Sequence, residues 1–365
     1  MRRTAEHTDP LAARGSTLAR ILLLVYVVLV AYASLYPLRG WRDVGLSPFA
    51  YLAEPWPRYL TAFDIVANVA VYVPVGFLAA AVLYPRLRGV AAFAAAVAAA
   101  GALSLVLEAA QSYLPARFPT TVDVLCNVAG AALGAALGLH FTPLISGGPL
   151  SRWRAQMFVP GAGADFGLML IGLWLFIQLN PATLLFGAGD LRDLLAPFEG
   201  RARRPEFFVS IEAFTTAANL VAVALIVATL AAPGRPVRGL VLGAVLAALR
   251  VKTVAVAIVL RAENLFTWLT HGAQLGLVIG IATALAALAL PRTVRLVAAA
   301  VLLMAATVLV NLSPPNPYLA ASLKVWQQGH FLNFNGLTRL VSVAWPFITL
   351  GYLIYLASRR REGLG

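Results

Sequence analysis

Apolar residues in this chain come in long runs separated by short stretches of Arg, Pro and Gly. A bilayer core of roughly 30 Å takes about 20 residues of helix, and ten runs approach or exceed that length. They cover about 18–36, 62–84, 88–112, 122–141, 165–180, 206–231, 238–260, 264–290, 293–312 and 336–357. The pattern predicts an all-α fold: a polytopic integral membrane helix bundle of about 10 transmembrane helices. Composition agrees, because 61% of the 365 residues are hydrophobic and only 12% are charged. The mean hydropathy of +0.83 excludes a soluble globular domain.

A net charge of +13 would suggest nucleic acid if the basic residues formed one patch. They lie instead in small groups between apolar runs, as expected when cationic loops orient a membrane protein. Even-numbered spans put both termini on one side. With cytoplasmic termini, fifteen basic residues fall inside, among them Arg86, Arg88, Arg152, Arg154, Arg235 and Arg238, against ten outside, among them Arg39, Arg42, Arg117 and Arg192. The chain is therefore expected in an inner or plasma membrane, multi-pass, with cytoplasmic N- and C-termini. Ala31-Tyr-Ala33 fits a signal-peptide cleavage site, but the apolar run continues to Tyr36, so this segment reads as a span.

The expected layout is a cytoplasmic tail over 1–17, a four-helix membrane domain over 18–145, a cytoplasmic linker over 146–164, a second membrane region of about six helices over 165–357, and a basic tail over 358–365. Two external connections carry most of the irregular sequence. Residues 37–61 hold Trp41, Trp56 and Tyr59, which suit an outer interface. Residues 181–205 hold Asp190, Asp193, Glu199 and an Arg201 to Arg204 cluster.

A degenerate internal repeat is possible. Residues 127–134 (NVAGAALG) echo 269–276 (LTHGAQLG), sharing Gly130/Gly272 and Gly134/Gly276, and Asn68 to Pro85 resembles Asn219 to Pro233. Three spans also end alike, in Leu35-Tyr36-Pro37, Leu179-Asn180-Pro181 and Leu312-Ser313-Pro314. Gly130, Gly134 and Gly138 form a small-xxx-small stripe, which lets a neighbouring backbone approach closely. Pro74 in the second span introduces a bend that can expose carbonyls.

Candidate chemistry concentrates in spans two to four. Asp64 with Asn68, Glu108 with Gln111, and Asp123 with Asn127 are each three or four residues apart, which places each pair on one helix face. Topology sets all three carboxylates toward the extracytoplasmic side. Acidic groups in hydrocarbon cost several kcal/mol and need partners or a wet cavity. They therefore suggest a shared site, the alternative being a packing network with Arg117 as a ready cation. In the second half Glu212 opens span six, and Arg261, Glu263, Asn264 and His271 surround the start of span eight. Arg250 and Lys252 lie too deep for loop charges, so they either pair with carboxylates or line a cavity for an anionic head group.

Cys126 is the only cysteine and the four histidines show no ligand spacing, so no metal site or cofactor is expected. Walker A, dinucleotide-binding, zincin and nucleophile-elbow motifs do not occur.

The order Ser34 to Pro37, Asp64-Asn68, Pro74-Gly76-Phe77, Ser104-Glu108-Gln111 and Asp123-Asn127-Gly130-Gly134 resembles the VanZ-like family over about residues 20–140. That family is named for resistance to a glycopeptide antibiotic, so the resemblance implies a cell-envelope membrane protein with a possible role in such resistance. The remaining residues depart from the short family form. Together these readings predict a protein that handles an amphiphilic or lipid-linked envelope constituent at an outward-facing polar pocket. Asp64, Glu108 and Asp123 would bind or relay protons. Asn68, Ser104, Gln111, Asn127, Arg117, Arg250 and Lys252 would bind. The expected partner is a membrane lipid or lipid-linked precursor, not nucleic acid. Whether it is an enzyme stays open: paired carboxylates could serve as general acid and base on a lipid-linked substrate, and a non-catalytic scaffold is the other alternative.

Overall fold

In hydrocarbon a backbone must satisfy its own polar groups, which a long apolar run achieves only as helix. The computed structural model describes residues 17–43, 45–56, 61–84, 86–192, 204–259, 265–314 and 332–359, and their regular structure is helical apart from one isolated bridge, Phe158 to Ala231. The helices form two compact units, Met1–Ala155 and Gln156–Gly365.

The first unit holds α1 (Thr17–Leu35), a short 3-10 turn (Ala50–Ala53), α2 (Ala62–Leu83), α3 (Gly89–Gln111) and α4 (Thr121–Gly147), followed by α5 (Pro149–Met157), which runs past the unit's end. Helix α4 packs most closely on α2, with α3 beside both and α1 against α2 and α3. The cause is the glycine stripe. A side chain at Gly130, Gly134 or Gly138 would overlap the α2 carbonyls of Val69, Val73 and Phe77, and one at Gly76 would overlap Ala131 in return. Small residues thus let two backbones touch, and dispersion replaces the hydrophobic drive that lipid cannot supply. Val30, Tyr72, Val75, Ala100, Leu107 and Ala131 form the core beside this seam. Pro74 sits inside a continuous α2. The Tyr26 hydroxyl donates to the Val71 carbonyl at 3.0 Å, next to the Ala70 carbonyl whose helical donor Pro74 removes.

The second unit holds α6 (Ala162–Ile177), α7 (Pro205–Leu230), α8 (Val237–Val259), α9 (His271–Ala287), α10 (Arg292–Leu312) and α11 (Leu332–Ser358). Helix α7 is its axis, buried at every residue from Ala218 to Leu230, with α9 and α10 packed along it. Gly272, Gly276 and Gly280 of α9 press on Val209, Ala213 and Ala217 of α7, the same device as α4 on α2.

Eight of these helices are long and apolar enough to cross a membrane. Two more occupy expected spans but fall short of that length, α6 with 16 residues, set three residues earlier than its expected run, and α9 with 17. Both differences have local causes. Asn180-Pro181 ends α6 early, because the residue before proline is pushed out of the helical region. Thr270 caps α9, its hydroxyl accepting from the Ala273 N–H at 3.1 Å, so the run expected from residue 264 starts seven residues late. Residues 181–192, expected in an external loop, are instead packed among helices: Leu185, Phe186 and Ala188 are buried. The rest of that connection, with Asp193, Glu199, Arg201 and Arg203, lies outside the described residues, as do Tyr59, Arg261, Glu263 and Asn264.

Candidate ligand pocket

A cavity of about 260 Å³ opens in the first unit between the 3-10 turn and the α3–α4 connection. Tyr51, Thr120, Thr121 and Val122 are its less exposed lining, and its exposed rim carries Ser47, Glu54 and the apolar Leu46, Trp56 and Phe118. Those three apolar residues are 65%, 67% and 84% exposed. Tyr51 is only 4% exposed, yet its hydroxyl has no hydrogen-bond partner. Burial and the nearby Glu108 negative charge both push the Tyr51 phenol pKa up. Thr121 fastens the turn to α4, its hydroxyl donating to the Tyr51 carbonyl at 3.1 Å.

Behind this lining lies the carboxylate network. Buried Glu108 accepts from the Thr120 N–H at 3.2 Å. The Thr120 hydroxyl donates to Asp123 at 2.7 Å and accepts from the Asp123 N–H at 3.1 Å. Asn68 of α2 donates its side-chain amide to the other Asp123 oxygen. Thr120 therefore joins two carboxylates at the N-terminus of α4, where the helix dipole and free N–H groups favour negative charge.

Asp64 is not tied into this network by hydrogen bonding. It is exposed and closes a capping box with Thr61: the Thr61 hydroxyl donates to Asp64 at 2.6 Å, and the Thr61 N–H donates at 3.3 Å.

The amides do not pair within their own helices, as sequence spacing suggested. Asn68 reaches Asp123, Gln111 donates to the Ser34 carbonyl at 2.9 Å, and Asn127 donates to the Ser104 hydroxyl at 2.9 Å. Each links two helices, which satisfies groups on both and fixes their register. Asn127 Oδ1 keeps no partner. Arg117 donates to the Tyr36 carbonyl at 2.6 and 2.9 Å and to the Ala33 carbonyl at 3.2 Å, so it caps the C-terminal end of α1. Burial lowers its pKa, and the Glu108 charge works against that shift.

In the second unit the two deep cations have opposite surroundings. Arg250 is exposed, contrary to its expected burial, while Lys252 is 1% exposed. Two residues apart on a helix, they point about 200° apart around its axis. Lys252 takes main-chain oxygens as hydrogen-bond partners, from Asn180 and Thr183. His271 is exposed at the start of α9.

Sequence reasoning missed Tyr51 and Thr120. Thr61-x-x-Asp64 and Thr120-x-x-Asp123 both carry the threonine-to-acid spacing of a capped helix start, a signal that would have found Thr120. Nothing in the sequence marks Tyr51.

Eight long apolar helices and an all-helical fold define a multi-pass membrane protein. Residues 20–144, which cover most of α1 to α4 and hold the whole pocket, match the family model VanZ/LLP1, so about a third of the chain is similar to that family. No curated protein and no solved structure matches the chain.

Proposed function

We propose that the first unit binds an amphiphilic or lipid-linked constituent of the cell envelope, with its polar group against Tyr51 and Thr120 and its apolar region across Leu46, Trp56 and Phe118. One observation carries the reading: Tyr51, whose buried hydroxyl has no partner, lines a cavity with exposed apolar side chains at its mouth. A buried unsatisfied hydroxyl costs about 1–3 kcal/mol, which a ligand acceptor would recover once the Tyr51 side chain turns its hydroxyl into the cavity. Exposed aromatics beside a membrane helix suit the interface between acyl chains and head groups.

Glu108 and Asp123 both bond Thr120 and stand behind the cavity lining. Their arrangement favours a ligand that donates hydrogen bonds or carries a cationic group near Thr120. The excess of basic residues on the opposite connections supports an outward-facing pocket with cytoplasmic termini. A role in glycopeptide resistance would follow from retention of an envelope precursor, and chemical conversion of it is a separate question that the same experiment answers.

The test is lipid co-purified with the full-length protein in mild detergent, identified by mass spectrometry. Retention of one amphiphile class at near-stoichiometric level supports the reading, as does its loss in Tyr51→Phe. Only bulk phospholipid, equal in both proteins, refutes it. A converted head group would mark an enzyme; an unchanged one marks a binding protein.

A further inference from the structure

We infer that the second unit contains a monovalent-cation site built from main-chain oxygens, and that the ammonium of Lys252 is its tethered occupant. Helix α6 tightens into 3-10 geometry as it ends, with Gln178, Leu179 and Asn180 donating to carbonyls three residues back. Pro181 then stops it, leaving the last carbonyls free at the negative end of the helix dipole. Four oxygens surround Lys252 Nζ: Asn180 O at 2.8 Å, Thr183 O at 2.6 Å, Thr183 Oγ1 at 3.2 Å and Pro181 O at 3.4 Å. An ammonium has three hydrogens, so four oxygens exceed what it can pair by directed bonds. A ring of carbonyls of this kind is how unwound helix ends hold alkali cations in membranes.

The surrounding structure is rigid where the cage needs it. The Asn180 side chain donates to Thr338 at 3.0 Å and to Asn335 at 3.3 Å, and accepts from the Ala182 N–H at 2.9 Å. Gln178 accepts from the Phe186 N–H at 3.0 Å, and Thr216 of α7 donates to the Leu185 carbonyl at 3.2 Å. The oxygens are therefore held in place by helices on several sides, not by Lys252 alone. The three Leu-x-Pro helix ends give independent support. In each, the carbonyl of the middle residue receives a cationic side chain: Tyr36 from Arg117 at 2.6 Å, Asn180 from Lys252 at 2.8 Å, and Ser313 from Arg192 at 3.5 Å. Only at Asn180 do further oxygens close the cradle around a compact charge.

The experiment follows the melting temperature of the full chain in detergent, in chloride salts of sodium, potassium, rubidium and choline at one ionic strength. The wild type should be indifferent to the cation. Lys252→Ala, which empties the cage, should melt lower in choline and regain about 5 °C, saturably, with the alkali cation that fits. Lys252→Met fills the space without charge and should show no such gain. If Lys252→Ala yields no folded protein, Lys252→Arg decides, because it keeps the charge but not the compact shape. A drop of about 5 °C or more in Lys252→Arg supports a shaped cage. An Arg variant as stable as the wild type, or an Ala variant equally stable in every salt, overturns the inference.

Discussion

The two units share a packing device and differ in what they build on it. In each, a helix with glycines at every fourth position presses onto the backbone of an earlier helix: α4 on α2 through Gly130, Gly134 and Gly138, α9 on α7 through Gly272, Gly276 and Gly280. In the first unit α4 has 27 residues, and its first two turns extend beyond the stripe to carry Asp123 and Asn127. In the second, α9 has 17 residues and begins at the stripe. Those extra turns, with the carboxylate and amide they would bear, have no counterpart. The second unit instead places non-helical backbone from Gln178 to Arg192 among its helices and supplies a lysine to meet it. A shared frame thus carries a cavity backed by two carboxylates in one unit and a lysine held by carbonyls in the other, since one frame can bear different sites.

The touching backbones are what the two units share, and they are the most sensitive to substitution. Gly134→Val and Gly276→Val should have the largest effect, about 3 kcal/mol or more each, because a branched side chain must push apart backbones that touch. The check is loss of monodisperse protein on gel filtration. Gly243→Ala on α8, where nothing lies within 4 Å, should leave elution and melting unchanged.

Asn68→Leu should cost less, about 2 kcal/mol, by removing the amide that joins α2 to Asp123. Asp123→Asn in the same protein should restore some of the loss, since a neutral side chain no longer needs that donor. A double-mutant cycle on melting temperature measures the coupling, and strict additivity would show that Asn68 and Asp123 act independently.

Among the capping residues, Thr61→Ala should cost about 1 kcal/mol and leave lipid retention intact. Thr120→Ala should cost as much and also reduce retention, because Thr120 lines the pocket. Equal retention in both variants would detach the cap of α4 from binding.

The smallest effect concerns Asp190. Burial raises the pKa of its carboxyl, but the Arg192 guanidinium, bonded at 2.6 Å, outweighs burial and holds it below the ordinary carboxylate range. A depressed folded pKa contributes stability above the unfolded value of about 4 that is lost as pH falls through the folded one. Arg192→Ala should therefore lower melting temperature at pH 6 and narrow the difference from the wild type below about pH 4. A difference independent of pH would mean that Arg192 acts through the Ser313 carbonyl alone.

The helical class and the positions of most spans were legible because apolar run length is a direct physical consequence of bilayer thickness. The glycine stripes were legible for the same kind of reason, since few side chains permit backbone contact. The register of the echo was not. Sequence matched Asn68 to Asn219, 151 residues apart (219 − 68), whereas the contacts match Val69 to Val209 and Val73 to Ala213, 140 apart (209 − 69). Ala-rich helices align at many registers, and only the touching carbonyls choose one.

The site was half legible. Glu108 and Asp123 were marked by their cost in hydrocarbon, but the same rule gave Asp64 a role that its capping box already explains. Partners were misassigned because intrahelical spacing shows which groups could meet, while interhelical packing decides which do. Lys252 was rightly singled out as too deep for a loop. Its hydrogen-bond partners are main-chain carbonyls and the Thr183 hydroxyl, with the Glu212 carboxylate acting on it by charge, and no side-chain pattern announces the carbonyls.

Occupancy of the cavity beside Tyr51 decides whether the first unit binds an amphiphile there. Ala50→Trp, a substitution in the 3-10 turn that lines the cavity, fills it without touching Glu108 or Asp123. Native mass spectrometry of this variant and the wild type, released from matched detergent micelles, reads occupancy directly. Binding in the cavity predicts a lipid adduct on the wild type that is reduced at least about tenfold, or about 1.4 kcal/mol, in Ala50→Trp at equal melting temperature. An adduct of the same mass and abundance on both proteins would contradict it.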